Sequence, residues 1–445
     1  VRGYIPAVSP RRKPSSFEKV PRVGDGAATK AVGPPSGAPV GDRLLAQFAR
    51  MLHEAGAPAQ RLEGLVGACA ERLGLRASIF SLPTWIHIAV DRGDGQRTVS
   101  IRVDPGSPKL ALLEATYAIS NRFLAGALDA RSALDALEKL EASRRRPPVP
   151  AFVLGYALFS AGAARFLGGG VEEMLVSFPV GALVAFSLAL ARGRRERELL
   201  SEFGGALVAT VAAALAVMFA GWTGHSASLP IVSLAGLVTL LPGLSLATAM
   251  SELSTRHLAC GSARLIGAIS TLAVVGIGAA LGQAVVRRLG VVPAESLLPE
   301  AAASGALDPL TTIALVAFSG GLALIFQSRL SRAPVVLLAC VLGWSAAQFG
   351  RATVGVQFAP FMAALLVAGA AALYARWRSE AALALLLPGL SFLLPGSIGF
   401  RGVQGVLASD TAGGIETTVS ALAVAASIAA GILVANALVP PKRHL

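Results

Sequence analysis

From about Val149 onward the chain is a succession of apolar stretches nearly free of charge. Each runs roughly 18 to 25 residues, long enough at about 1.5 Å per residue to cross a hydrocarbon core of about 30 Å. Ten such stretches are expected, near residues 150–169, 171–191, 199–221, 228–250, 265–286, 309–327, 333–349, 353–374, 381–400 and 416–439. Residues 41–146 are patterned differently. Leu44, Leu45, Phe48 and Leu52 follow helical spacing behind Asp42 as a cap; Pro58 suits the first turn of a second helix running to Leu73, and Gly74 stops it. Three β-type runs follow at 77–82, 85–90 and 97–103, divided by turn signals at 82–84 and 91–95. Two further helices, over 109–125 and 129–142, are expected to cover one face of a three-stranded antiparallel sheet. The fold class is therefore a polytopic α-helical membrane protein of about ten transmembrane helices behind a small α+β domain.

Composition agrees, with 54% hydrophobic and 15% charged residues, too apolar for an ordinary soluble enzyme of this size. The net charge of +13 is scattered and shows no nucleic-acid-binding pattern, so no nucleic acid is expected as a partner. Residues 1–40 hold seven Lys or Arg and two acids; this Pro/Gly-rich basic tail reads as disordered and has no apolar signal-peptide core. With the domain at 41–146 in the cytoplasm, twelve basic residues fall in later inward segments: Arg192, Arg194, Arg195, Arg197, Arg256, Arg264, Arg329, Arg332, Arg376, Arg378, Lys442 and Arg443. Four, Arg287, Arg288, Arg351 and Arg401, fall outward. The positive-inside rule then puts both termini on the cytoplasmic side of the inner membrane. Trp222, Trp344 and Trp377 near span ends fit interfacial anchoring. Cys69, Cys260 and Cys340 lack metal-ligand spacing and read as packing residues; no metal or cofactor is expected.

The membrane part resembles itself. Phe159-Ser160-Ala161-Gly162 matches Phe318-Ser319-Gly320-Gly321 at an offset of 159, and Leu240-Leu241-Pro242-Gly243 matches Leu393-Leu394-Pro395-Gly396 at an offset of 153. That second offset also aligns Gly278 with Gly431 and Gln283 with Asn436. A second copy of the LLPGLS string, at 386–391, makes Pro388 an alternative counterpart of Pro242. Two halves of five helices emerge, 147–305 and 306–445. An odd number of spans makes such halves an inverted repeat, as in many secondary transporters.

Proline in a helix removes an N–H and the next glycine lets the chain turn, so Pro242, Pro388 and Pro395 are expected to free the carbonyls of Val238, Ala384 and Ser391. Such groups are tolerated in hydrocarbon only against protein, water or ligand, which places a polar cavity at the repeat interface. Free carbonyls and half-helix N-termini would suit the ammonium and carboxylate of an amino acid. Ser245, Thr248, Ser251 and Ser397, with Gln283 and Asn436, could complete the site. Candidates for ion coupling are Glu252 first, then Glu202, with Asp410 and Glu416 behind them.

On these residues the chain resembles the threonine/serine exporter family. Leu52-His53-Glu54-Ala55-Gly56-Ala57-Pro58, followed by Arg61-Leu62-Glu63, is similar to the family's cytoplasmic signature, and the two Pro-Gly spans and the Phe-Ser-Gly-Gly opening resemble its membrane modules. The resemblance implies ten spans, export of threonine and serine across the cytoplasmic membrane, and drive by protons; homo-oligomer formation is compatible with it. It also implies a hydrolase-like alternative for the first domain, with His53, Glu54 and Glu63 as candidates; a sensor that uses that domain is a separate alternative. No HExxH or nucleophile motif accompanies those three, and no catalytic residue is assigned.

Overall fold

The computed structural model describes residues 38–91, 95–104, 108–144, 146–192, 200–290, 307–378, 381–393 and 395–440. The tail at 1–37, Arg194, Arg195, Arg197, Lys442 and Arg443 therefore lie outside the described residues. The N-terminal region contains α1 (Val40–Glu54), α2 (Ala59–Arg72), β1 (Arg76–Leu82), β2 (Trp85–Asp91), β3 (Gln96–Arg102), α3 (Leu110–Leu124) and α4 (Ala130–Ala142). The strands form an antiparallel sheet in sequence order. Leu82 opposite Trp85 leaves Pro83 and Thr84 as a two-residue turn, short enough to fix the register. Ile79, Ile88 and Val99 thus form one cross-sheet row and Ser81, Ile86 and Ile101 the next. This face turns inward; Phe80 and Trp85 are exposed.

Two expectations change here. The sheet is covered by α2 on β1 and by α1 on β2 and β3, while α3 and α4 pack on α1. The tight exit of α2 through Gly74, at φ +70°, folds β1 back along the helix it follows and leaves no room for later helices on that face. Asp42 also does not cap α1. The helix starts at Val40 with Pro39 at its N-cap, and Asp42 is buried in the first turn.

The membrane part comprises α5 (Val149–Phe166), α6 (Val171–Ala191), α7 (Ser201–Trp222), α8 (Leu229–Leu237), α9 (Gly243–Ser254), α10 (Leu258–Arg288), α11 (Pro309–Ile325), α12 (Ala333–Val354), α13 (Ala359–Arg378), α14 (Leu383–Leu390), α15 (Pro395–Leu407) and α16 (Thr411–Leu438). Among the described residues, eight helical stretches are long and apolar enough to cross a membrane, the last pair before α16 being taken as one stretch, Leu383–Leu407. The molecule is a helical membrane protein preceded by an α+β region. At 17 residues α11 is shorter than those eight, and the expected fourth span is divided into α8 and α9.

Three residues sit elsewhere than in the loops or span ends where sequence put them. Arg264 is inside α10, which starts at Leu258 and can carry the charge because Glu252 meets it. Arg401 is inside α15, half-buried. Trp344 is buried within α12, whereas Trp222 and Trp377 are exposed at helix ends. The three cysteines are free and buried.

Small residues bring α5 and α11 together. A Cβ on Gly162 would lie 2.7 Å from the backbone nitrogen of Phe318, and one on Gly321 would lie 2.4 Å from that of Phe159. The two phenylalanine rings stack at 4.4 Å between centroids. The N-terminal region is packed directly onto this bundle, sharing one continuous hydrophobic core with it. The Leu110 N–H donates to the Phe326 carbonyl at the end of α11 (2.8 Å).

Candidate functional site: a cavity beside two joined helix breaks

Both Pro-Gly segments interrupt their helices. α8 stops at Leu237, and α9 restarts at Gly243 with Pro242 as its N-cap. The Val238 carbonyl, expected to be free, accepts the Leu241 N–H at 3.4 Å, because the chain tightens into a turn before it reaches the proline. Buried within the same turn, the Thr239 hydroxyl has no hydrogen-bond partner among the described residues. In the second segment α14 gives way to a 3-10 turn at Ser391–Leu393, and α15 opens at Pro395. Pro388 lies inside α14, not at the interruption.

The two interruptions touch. A Cβ on Gly396 would stand 2.9 Å from the Gly243 nitrogen, and one on Gly243 would stand 3.3 Å from the Gly396 nitrogen. Backbone can approach backbone this closely only where neither residue carries a side chain.

A cavity of about 70 Å³ lies between the α9 segment after its break, the α14 segment before its break, α16 and the start of α2. Thr248, Ser251, Thr255 and Asn436 supply polar groups on the membrane side, Leu386 and Leu390 an apolar wall, and Pro58, Gln60 and Arg61 the closing surface. Thr248, Ser251 and Asn436 were legible from sequence. Pro242, Gly243, Pro395 and Gly396 form the joined breaks instead of the lining. Ser245 is half-buried, Ser397 buried and Gln283 exposed on α10, and none of the three lines the cavity. Glu202 sits half-buried in the first turn of α7. Asp410 caps α16 by accepting the Gly413 N–H, and Glu416 is exposed on that helix.

Glu252, one residue beyond Ser251, is fully buried. Its Oε2 pairs with Arg264 Nε at 2.9 Å; its Oε1 accepts from the other Arg264 nitrogen and from the Ala59 N–H at the start of α2, both at 3.1 Å. An anion at a helix N-terminus is favoured by the unpaired N–H groups and the helix dipole. Gln60 Nε2 donates to Ser251 Oγ at 3.3 Å. One turn along α2, Glu63 accepts the Ser81 N–H (2.9 Å) and lies 3.3 Å from His257 Nε2. These contacts tie α2 to the C-terminal end of α9 and the N-terminal end of α10.

His53, Glu54 and Glu63 face three different partners. His53 Nε2 is 2.9 Å from the Pro83 carbonyl, Glu54 pairs with Arg50 and Arg144, and Glu63 meets His257. Burial holds the His53 imidazole below its usual 6.5, and burial raises the Glu63 carboxyl despite its two hydrogen-bonding neighbours. A histidine depressed on folding binds its proton more readily when unfolded, so its contribution is full above pH 6.5 and is lost as pH falls toward the folded value. The protection of the α1 and α2 amides, taken relative to their intrinsic exchange rate at each pH, is therefore expected to fall on acidification below that pH, by no more than about 1.4 kcal/mol per pH unit. His53→Gln should flatten that dependence; an unchanged pH slope in the variant would remove His53 from the account.

Residues 43–286 match a family model for the threonine/serine exporter, ThrE, and residues 310–438 match a second model described as Threonine/Serine exporter, ThrE. The chain is 25% identical over 313 residues to a protein named "Threonine/serine exporter" from Corynebacterium glutamicum, covering 69% of this chain and 63% of that one. It is 26% identical over 367 residues to "Pheromone-regulated membrane protein 10" of Eremothecium gossypii, covering 80% of this chain and 48% of that one. The chain thus spans between about half and just under two thirds of the length of these relatives. No solved structure matches. The first family match alone covers more than half of the 445 residues and both the α+β region and the first broken helix: the chain belongs to the threonine/serine exporter family.

Proposed function

We propose that this protein is a secondary active transporter that exports threonine and serine across the cytoplasmic membrane, coupled to protons. The observation that carries the reading is the small cavity, with hydroxyl, amide and guanidinium groups set in a mainly apolar wall, beside two mutually touching helix breaks. A carrier needs a small pocket at such a junction; the break residues do not line this one, so its cargo is met by side chains. Thr248, Ser251 and Asn436 offer hydroxyl and amide partners for a cargo hydroxyl.

In this reading α8 with α9, and α14 with α15, are single interrupted spans and α11 is a short one, giving ten spans in two inverted halves. Reciprocal contacts support it: Gly162 meets Phe318 while Gly321 meets Phe159, the pattern a two-fold relation produces when each residue touches the counterpart of its partner. Gly243 and Gly396, counterparts at the other repeat offset, meet each other. Both termini then lie in the cytoplasm. Proton coupling falls to Glu252, since protonation would cancel its attraction for Arg264 and loosen α2 over the cavity.

Thr248→Val and Asn436→Ala each remove a cavity hydrogen-bonding group without touching the breaks. Each is expected to raise the half-saturating threonine concentration for efflux about two- to tenfold, the worth of one ordinary hydrogen bond. The measurement is efflux of labelled threonine from loaded vesicles; unchanged half-saturation in both variants would move the cargo site elsewhere.

A further inference from the structure

The cavity has a feature that the membrane helices do not account for. Its closing surface comes from α2, more than 180 residues away in sequence from the α9 residues it faces. That surface carries the cavity's charge: of the described lining residues, the charged one is Arg61. The carboxylates nearby are committed elsewhere, Glu252 to Arg264 and Glu63 to His257. Among the described residues, no carboxylate lies within ion-pair distance of Arg61. Its neighbour Gln60 spends its amide nitrogen on Ser251, and its buried Oε1 has no hydrogen-bond partner among the described residues. The half-buried Arg61 guanidinium lines the cavity and is complementary to a carboxylate; the Gln60 oxygen, buried without a donor, reaches an ammonium beside that carboxylate once its side chain turns.

We propose that the α2 segment is part of the cargo site, with Arg61 binding the cargo's α-carboxylate and Gln60, turning its side chain on binding, accepting from its α-ammonium. This rests on the exporter reading and assigns that site's selectivity for the free amino-acid backbone. Thr248, Ser251 and Asn436 then face the side chain of the cargo. The division has a structural basis. The backbone is common to every amino acid and is read by the Arg61 guanidinium and the Gln60 amide on α2, whereas the side chain is read by neutral groups inside the bundle, where an unpaired charge would be costly. The same arrangement explains why Glu252 is spent on the start of α2: its bond to the Ala59 N–H holds the two residues that follow against the cavity.

The test is competition against labelled threonine in counterflow, with the full-length chain in vesicles and unlabelled threonine or threonine amide as competitor. The wild type should favour threonine over the amide roughly ten- to a hundredfold, the range for a hydrogen-bonded charged group. Arg61→Gln should raise half-saturation for threonine by a similar factor, keep the maximal rate within about twofold and abolish that preference; Arg61→Lys should restore part of it, since it keeps charge but loses the planar fork. Two results would overturn the assignment: a wild type that does not distinguish the amide, which needs no variant to fold, or an Arg61→Gln protein whose losses for threonine and amide are equal. A wild type that carries no threonine at all would instead overturn the exporter reading beneath it.

Discussion

Gly396→Leu is expected to reduce threonine efflux to background while Gly204→Ala leaves it at the wild-type level. The first Cβ alone would meet the Gly243 nitrogen at 2.9 Å, the Gly243 Cα at 3.1 Å and the Leu241 Cβ at 3.1 Å, and two of those three atoms are backbone that cannot rotate away. A leucine therefore forces the interruptions apart, at an overpacking cost of about 1–3 kcal/mol. Because α9 and α14 both line the cavity, the displacement is transmitted to Thr248, Ser251 and Leu390. Gly204 sits on α7 with nothing within 4 Å of an added Cβ and reports the effect of adding a methyl to a membrane helix as such. Gly396→Ala should fall between the two. Efflux is read alongside the amount of protein in the membrane, and a Gly396→Leu transporter with normal efflux would mean that contact between the breaks is irrelevant to transport.

The second large effect concerns the buried ion pair. Glu252→Ala leaves Arg264 without its counter-charge and Ala59 without an acceptor for its N–H, and Arg264→Ala leaves a fully buried carboxylate. Breaking one partner of a buried pair costs about 3–5 kcal/mol. Arg264 keeps 20% of its side chain exposed, so Glu252→Ala belongs near the lower figure and Arg264→Ala near the upper. The double variant Glu252→Leu/Arg264→Met should cost much less than the sum of the two, since neither charge is then stranded. Hydrogen exchange across α2 is the direct readout, because the Ala59 N–H loses its acceptor wherever Glu252 is replaced and keeps it in Arg264→Ala. Additive losses in the cycle would show that the two groups do not act as a unit. A milder change, Glu252→Gln, is expected to weaken efflux driven by a pH gradient more than exchange at equal pH.

Much of this architecture was readable from the chain. The alternation in 77–103 places Ile86, Ile88, Val99 and Ile101 on one face, since a pleated strand has a period of two whatever surrounds it. Pro242-Gly243 and Pro395-Gly396 announce the interruptions because a missing N–H breaks a helix locally. What escaped was whatever depends on elements far apart in sequence. Gln60 and Arg61 look like ordinary surface positions of an amphipathic helix, and only their docking on α9 makes them line a cavity. Sequence alone puts Arg264 in a loop, because a charge seven residues into α10 is unfavourable unless Glu252 meets it. Thr239 gave no signal, as a lone hydroxyl in an apolar run is common and only burial without a partner distinguishes it. The packing of α3 and α4 on α1 is hidden for the same reason: periodicity says which face is apolar but not which neighbour covers it.

The central claim is that cargo occupies the cavity between the interrupted helices and α2, and side-chain protection at Thr248 tests it most directly. With the three native cysteines replaced and Thr248→Cys introduced, the rate of modification by a small thiol reagent is measured in vesicles with and without threonine. Threonine is expected to slow the reaction several-fold, and threonine amide to slow it far less. A thiol that reacts at the same rate with and without saturating threonine would contradict the account.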